Sequence, residues 1–413
     1  MDFIYLDNAS TSFPKSPNMA SAMADFITTK GININRGSYS PAYDVEETIF
    51  STRQILKELF NGYDEQYVTF TPNVTMSINT VLQGLLNTGD HVLISGMEHN
   101  AVLRPLTYLS ARGISFDSIP CDTNGIIQLE SIESLIKENT KAVVLNHGSN
   151  VCGIVQDIAA LGAICKTHDI YFIVDCAQTA GTIPIDMKAC HIDALCFTGH
   201  KGLLGPQGIG GLCLSPRISE VLKPLVYGGT GSVSHLVSMP TNYPDRLEAG
   251  TLNLPGIIGL YEGLQYINQK GINTIHRHEI TLANRFIAGI KHIPNLILVG
   301  HNATFDNPTN NTIFDNRTNH ASPELINTSN TVAPKNQRVA VISITSTGVD
   351  NATLAYRLES EHHILTRVGL HCAPLAHQTL GTYPTGTIRF SFGYANTIND
   401  VDAAINGLQQ LMI

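Results

Sequence analysis

The segment Phe197-Thr-Gly-His-Lys201-Gly-Leu-Leu-Gly-Pro-Gln-Gly-Ile-Gly-Gly211 sets one lysine directly after an apolar run and ahead of a glycine-rich turn. An ammonium is costly to bury, and one held in such a pocket loses its proton more readily and becomes a nucleophile able to form a Schiff base. Taken alone, such a lysine reads first as a surface-loop residue. Gly205, Gly208 and Gly210 lack the order of a dinucleotide fingerprint and no helix follows them. Asp175, in Ile173-Val-Asp-Cys-Ala-Gln178, ends another hydrophobic run and needs a cationic partner there, unless it only caps the next helix. In Phe70-Thr-Pro-Asn73-Val74-Thr75-Met, Thr75 falls at a helix N-terminus, an anion site or a plain Thr cap. His99, in Gly96-Met-Glu-His-Asn, lies just past a third run, where it stacks on an aromatic ring or makes a loop contact.

The elements that must position these residues follow βαβ rhythm from about residue 60 to 215. Strands are expected at 67–71, 91–95, 114–119, 141–146, 171–175, 194–198 and 210–214, and helices at 75–86, 101–112, 129–138 and 158–168. A mostly parallel sheet with helices on both faces follows, and its ligands belong beyond the carboxyl ends of the strands. Helical pattern over 251–272 and 273–293 leads into a second region with strands at 338–346 and 386–391 and helices at 351–362 and 398–412. The expected division is an N-terminal segment 1–14 packing with the small domain, a large domain 15–260 and a small α+β domain 261–413. Within the last, 300–337 holds nine Asn and a duplicated Phe305-Asp-Asn-Pro-Thr-Asn and Phe314-Asp-Asn-Arg-Thr-Asn, an Asn/Thr-rich surface insertion.

Leu6-Asp-Asn-Ala9-Ser-Thr-Ser-Phe-Pro-Lys15, Asn35-Arg36-Gly37, Glu98-His99-Asn100, Ser149-Asn150, Asp175 to Gln178, Thr198 to Lys201 and Leu247-Glu-Ala-Gly-Thr251-Leu-Asn253 occur in that order. Together they resemble the fold-type I pyridoxal-phosphate enzymes, and specifically the class V aminotransferase group that contains the cysteine desulfurases and selenocysteine lyases. The resemblance implies an α/β fold with a mostly parallel seven-stranded sheet flanked by helices, plus a smaller α+β C-terminal domain. It implies that Lys201 holds pyridoxal 5'-phosphate, Asp175 pairs with the pyridinium nitrogen, Gln178 bonds the ring hydroxyl oxygen and His99 stacks on the ring as a catalytic residue. Asn73, Val74, Thr75, Thr198 and His200 would hold the phosphate, with Thr251 arriving from a second subunit of a homodimer. Asn73-Val74-Thr75 departs from the Gly-Thr-Thr of many relatives. Ala9, Arg36, Asn150, His371 and Arg389 would contact the substrate.

The C-terminal run Thr366-Arg-Val-Gly-Leu-His371-Cys372-Ala-Pro precedes a strand that carries Arg389, a bidentate fork suited to a substrate carboxylate or else a surface ion pair. Cys372 separates the activities, because moving sulfur from cysteine needs a thiolate whereas a transaminase needs none. His371 and Arg367 give it cationic company, while the other seven cysteines sit in or beside apolar elements and read as core. Arg-x-Gly-x-His-Cys-Ala resembles the desulfurase subgroup related to selenocysteine lyases, with a short thiol loop. The expected reaction converts L-cysteine to L-alanine, leaves a persulfide on Cys372 and passes it to an acceptor protein or small thiol. Selenocysteine lyase, ordinary class V aminotransferase and non-catalytic sulfur-relay readings stand beside it.

Composition narrows the partners. The 413 residues carry 25 Lys and Arg against 34 Asp and Glu, a net charge of −9 without a basic cluster, so nucleic acid is not expected. The start Met-Asp-Phe-Ile-Tyr-Leu-Asp lacks the basic and apolar regions of a signal peptide, and no apolar run reaches the roughly 20 residues of a membrane span. A cytoplasmic location without membrane contact is expected. The eight cysteines form no C-x-x-C pair, so no structural metal is expected.

Overall fold

The computed structural model describes residues 3–34, 39–300 and 338–412. Arg36 with its neighbours Asn35 and Gly37, and the insertion from residue 301 to 337, lie outside the described residues. The strands, in chain order, are β1 (Ile4–Tyr5), β2 (Val68–Thr71), β3 (His91–Ser95), β4 (Ser115–Ile119), β5 (Thr140–Asn146), β6 (Tyr171–Asp175), β7 (Ala194–Thr198), β8 (Gly210–Leu214), β9 (Leu296–Val299), β10 (Val341–Ser346), β11 (Ile364–Leu365), β12 (Arg367–Gly369) and β13 (Thr387–Ser391).

Seven of them form one sheet in the order β2-β8-β7-β6-β5-β3-β4. Its central strands β6 and β7 have every residue buried, so their apolar runs are continuous rather than alternating, as a sheet covered on both faces requires. Only β8 runs against the rest, pairing antiparallel with both β7 and β2. The reason is chain length: the connection from Thr198 to Gly210 is too short for the helical crossover a parallel neighbour needs. That tight connection carries Lys201. Its packing tolerates no side chain at residue 202, where a Cβ would lie 2.4 Å from the Ala180 carbonyl oxygen.

A four-stranded sheet, β12-β13-β10-β9, builds a second core with helices Ile272–Ile290, Asn351–His362 and Ile398–Leu411. Hydrophobic packing passes from one core to the other along helix Ile272–Ile290, Ile275 belonging to the first and Leu282, Phe286 and Ile290 to the second. β1 pairs in parallel with β11, so the N-terminal residues are joined to the C-terminal part. No helix among the described residues is long and apolar enough to cross a membrane.

Several elements differ from the sequence pattern. The helix expected over 129–138 ends at Leu135, because Ile136 is extended and the Lys137 N–H bonds the Thr140 hydroxyl, turning the chain into β5. The helix expected from 251 begins at Leu254, where Asn253 accepts from the Gly256 N–H, and Thr251 stays in the preceding loop. Helices Met19–Asp25 and Ser40–Leu59 lie in a stretch where periodicity assigned nothing.

The Thr251 loop is fastened by a buried ion pair. Arg53 forks onto Glu248 at 2.9 and 2.8 Å and also donates to the Val68 carbonyl, while the Phe70 N–H reaches Glu248 at 2.6 Å. Removing one member strands a buried charge, so Glu248→Ala should cost about 3–5 kcal/mol of unfolding free energy in urea titrations. The double replacement with Arg53→Met should recover a measurable part of that loss.

Candidate active site

Several of the residues singled out by sequence lie beyond the carboxyl ends of the large sheet. Asp175 ends β6, Thr198 ends β7, Asn73 follows β2 and His99 follows β3. Ala9, Gln178 and Lys201 line one cavity, together with Asn8, Ser12 and Glu279. The Gln178 amide donates to the Ala9 carbonyl at 3.0 Å, tying the N-terminal segment to the sheet.

Lys201 and Asp175 set the electrostatics. Burial pushes the Lys201 ammonium down to about 8; Asp175 pulls it back up, while Arg389 and Arg367 depress it further. Burial raises the Asp175 carboxyl, opposed by the Ala177 N–H, which donates to Oδ1 at 2.9 Å, and by Lys201. Each thus depends on a partner of opposite charge.

His99 caps helix Asn100–Ser110, its Nδ1 accepting from the Ala101 N–H at 3.0 Å. A backbone amide can only donate, so Nδ1 carries the lone pair and the neutral ring bears its proton on Nε2. Burial, then the charges of Lys201 and nearby arginines, lowers this imidazole to about 4. The turn before it is built on fully buried Glu98, whose Oε1 accepts from Ser95 Oγ at 2.6 Å and from the Asn146 N–H at 2.8 Å. Burial raises that carboxyl to about 8.

Thr75 is not the cap of helix Val74–Leu85. Asn73 is, accepting from the Met76 N–H at 3.0 Å, which leaves Thr75 exposed in the first turn. Thr251 is also exposed. Thr198 Oγ1 and His200 Nδ1 are buried without a partner among the described residues.

Arg389 is not a surface residue. It is 1% exposed, and Nη2 donates to Asp7 Oδ1 at 2.6 Å and to Ser10 Oγ at 2.7 Å, while Nη1 donates to the Asn150 carbonyl at 3.0 Å. Its Nε has no partner among the described residues. Asn150 donates to the His371 carbonyl at 2.6 Å and keeps a free Oδ1.

All eight cysteines are described and unpaired, and Cys372 alone is exposed. His371 and Cys372 both take left-handed backbone, with φ of 48° and 59°. The Asn100 N–H holds the Cys372 carbonyl at 2.8 Å, next to His99, and Arg367 Nη2 lies 3.9 Å from the sulfur while its Nη1 donates to Ser10 Oγ. The expectation that His371 adds cationic company is corrected: burial, then Arg389, drives this imidazole down to about 2, so it is neutral and Arg367 is the nearby cation. The hydroxyl chain beside it also fixes its proton. Ser343 Oγ donates to the Val151 carbonyl and Thr387 Oγ1 to Ser343, so Thr387 accepts from His371 Nε2–H.

Sequence reasoning assigned no role to Asp7, Ser10, Glu98 or Lys15. For Asp7, Glu98 and Lys15 the signal was charge without an obvious partner inside hydroxyl-rich or apolar runs; Ser10 gave none.

The architecture, with a lysine in the tight turn after a buried strand and an aspartate ending the strand beside it, is that of the fold-type I class. The chain belongs to the class-V aminotransferase family, whose profile (Aminotransferase class-V) matches residues 4–331 and 321–404. A probable cysteine desulfurase of Methanothermobacter thermautotrophicus is 30% identical over 99% of this chain and 95% of its own. The apo structure of the cysteine desulfurase of Thermococcus onnurineus NA1 superposes with a TM-score of 0.85 at 28% identity, covering 99% of this chain and 94% of that one. The cysteine desulfurase CsdA of Escherichia coli, solved in an S-sulfonic acid form, gives 0.82 at 26% identity, covering 100% and 96%.

The depressed Lys201 amine can be read directly. In cofactor-free protein, reductive methylation followed by mass spectrometry should titrate Lys201 with a midpoint near pH 8, against about 10.4 for an ordinary lysine. Because the Asp175 carboxylate favours the charged amine, Asp175→Asn should lower that midpoint further, by about one unit.

Proposed function

We propose that the protein is a pyridoxal-phosphate-dependent cysteine desulfurase, converting L-cysteine to L-alanine and leaving the sulfur on Cys372 as a persulfide. The observation that carries this reading is Cys372, an exposed thiol on a left-handed loop beside Arg367, packed against the His99 turn of the site that holds Lys201 and Asp175.

The residues fit the cofactor. Thr198 Oγ1 and His200 Nδ1 are orphaned buried polar atoms that phosphate oxygens would satisfy, and the first turn of helix Val74–Leu85 adds free N–H groups. Among the described residues Asp175 is a buried carboxyl with no cation acting on it but Lys201, and a protonated ring nitrogen would supply another. When bound, pyridoxal phosphate supplies an aldehyde that joins amines and a ring that stores the electrons left on the substrate carbon.

The chain's own residues do the rest. Lys201 anchors the cofactor and, once freed by the substrate amine, removes the proton from the substrate Cα; at about 8, its affinity for a proton suits both directions near neutral pH. Asp175 keeps the ring nitrogen protonated. Arg389, with Nε–H still free, and Asn150, with Oδ1 free, hold the substrate carboxylate and amine in place. His99 presents only an Nε2–H, so toward a bound cofactor or substrate it would offer a hydrogen-bond donor and no acceptor. The Cys372 thiolate then bonds to the substrate sulfur while the carbon–sulfur bond breaks, its electron pair staying with carbon; that carbon takes up a proton and Lys201 returns a proton to Cα, which gives alanine. The persulfide leaves to an acceptor protein or a small thiol.

Exposed Thr251, on the loop fastened by Glu248, reaches the phosphate of a second copy, making a homodimer. Eight unpaired cysteines support a reducing, cytoplasmic setting.

Purified protein should show a visible band that changes when cysteine is added. Cys372→Ser should keep the band and abolish alanine formation; alanine released at the normal rate would refute the assignment. Asp175→Ala should lower turnover by about 10²–10³-fold, the scale for losing one preorganised electrostatic partner.

A further inference from the structure

The carbonyl of His200, the residue before Lys201, is crowded with donors from the N-terminal segment. Lys15 Nζ donates to it at 2.6 Å, the Ser12 N–H at 3.0 Å, Thr11 Oγ1 at 3.1 Å and Ser12 Oγ at 3.2 Å. A carbonyl oxygen has two lone pairs, so four donors exceed what satisfaction of one backbone group demands. The Lys15 ammonium spends its other two protons on Thr11 Oγ1 at 3.0 Å and Ser12 Oγ at 3.1 Å. All its acceptors are neutral, and among the described residues no carboxylate forms an ion pair with it. Burial correspondingly pushes this amine down to about 8.

A cation kept half-buried without a counter-ion is a standing cost, which a neutral side chain at this position would remove. What the cost secures is contact with the peptide that joins His200 to Lys201. Lys15 is itself held from the opposite side, since Tyr394 Oη donates to the Lys15 carbonyl at 2.8 Å from the loop that follows β13. Its charge is felt next door, where it adds to the depression of His200.

We propose that Lys15 is a positioning residue for Lys201: its ammonium clamps the His200 carbonyl and fixes the backbone from which the Lys201 side chain enters its buried site. The inference rests on the reading of Lys201 as the reactive amine and deepens it. It is independent of which amino acid the enzyme consumes.

The test compares Lys15→Met, of similar length and uncharged, with Lys15→Arg, which keeps the charge. In the full chain without added cofactor, Lys201 is titrated by reductive methylation and mass spectrometry; with pyridoxal phosphate added, the pH dependence of the visible band is followed as well. Burial is what chiefly depresses the Lys201 amine, so a backbone released from the clamp lets it reach solvent more readily, and Lys15→Met should move the Lys201 midpoint upward by about one pH unit. Lys15→Arg should stay with the unaltered protein. A Lys15→Met midpoint equal to that of the unaltered protein, even with a lowered melting temperature, would overturn the proposal and leave Lys15 a structural residue. So would a Lys15→Arg midpoint that follows Lys15→Met. If Lys15→Met does not fold, Lys15→Gln is read against Lys15→Arg in the same way. Failure of the unaltered protein to take up pyridoxal phosphate would count against the proposed function, while the cofactor-free titration would still decide the role of Lys15.

Discussion

Lys201 and Asp175 share a poorly solvated space at the ends of two adjacent strands whose residues are all buried, and neither charge is stable there alone. Much of the surrounding structure answers that constraint. The reversed strand β8 exists because the lysine turn is too short for a crossover, and the turn is packed so closely at Gly202 that the lysine backbone has little freedom. The surplus positive charge of Arg389 and Arg367 is balanced by one carboxylate, Asp7, through a hydroxyl that both guanidiniums share. An amine tuned by burial and a sulfur beside a guanidinium are therefore two outcomes of one charge arrangement.

Residues 7 to 15 form a common wall of that arrangement. Asp7 and Ser10 orient the arginines, Ala9 receives the Gln178 amide, and Thr11, Ser12 and Lys15 hold the peptide ahead of Lys201. The segment has no helix or strand of its own, since β1 ends at Tyr5, yet it bonds both the peptide ahead of Lys201 and the Arg389 guanidinium. Loops placed on rigid sheets are where chemistry concentrates, and here the loop precedes the sheet in the chain.

Legibility in the sequence followed burial. β3, β5, β6, β7 and β8 were readable because strands covered on both faces are uninterrupted apolar runs, and the polar residues ending them stood out as candidates for the same reason. Helix Met19–Asp25 gave no signal because none of its residues is buried. Helix Ser40–Leu59 was obscured because its buried stripe includes Thr52 and Arg53, the latter neutralised by a glutamate 195 residues away. The same limit applied within the site. The order of the motifs and the family they resemble pointed to Lys201, Asp175 and Cys372, but the engagement of Arg389 by Asp7 joins residues 382 positions apart and the neutrality of His371 follows from burial, neither of which a sequence displays.

One pairing has a consequence for how the molecule is made. Ile4 lies against Ile364, and the Asn8 side chain bonds the carbonyl of Ser391, a sequence separation of 383 residues. The wall of the site precedes the large sheet in the chain and cannot be seated until β13 has followed it. Contacts of such long range are late events in folding, because loop closure must be met before they stabilise anything. A newly synthesised chain can therefore complete its large sheet, and present Lys201 on it, well before it acquires the surface that holds a substrate.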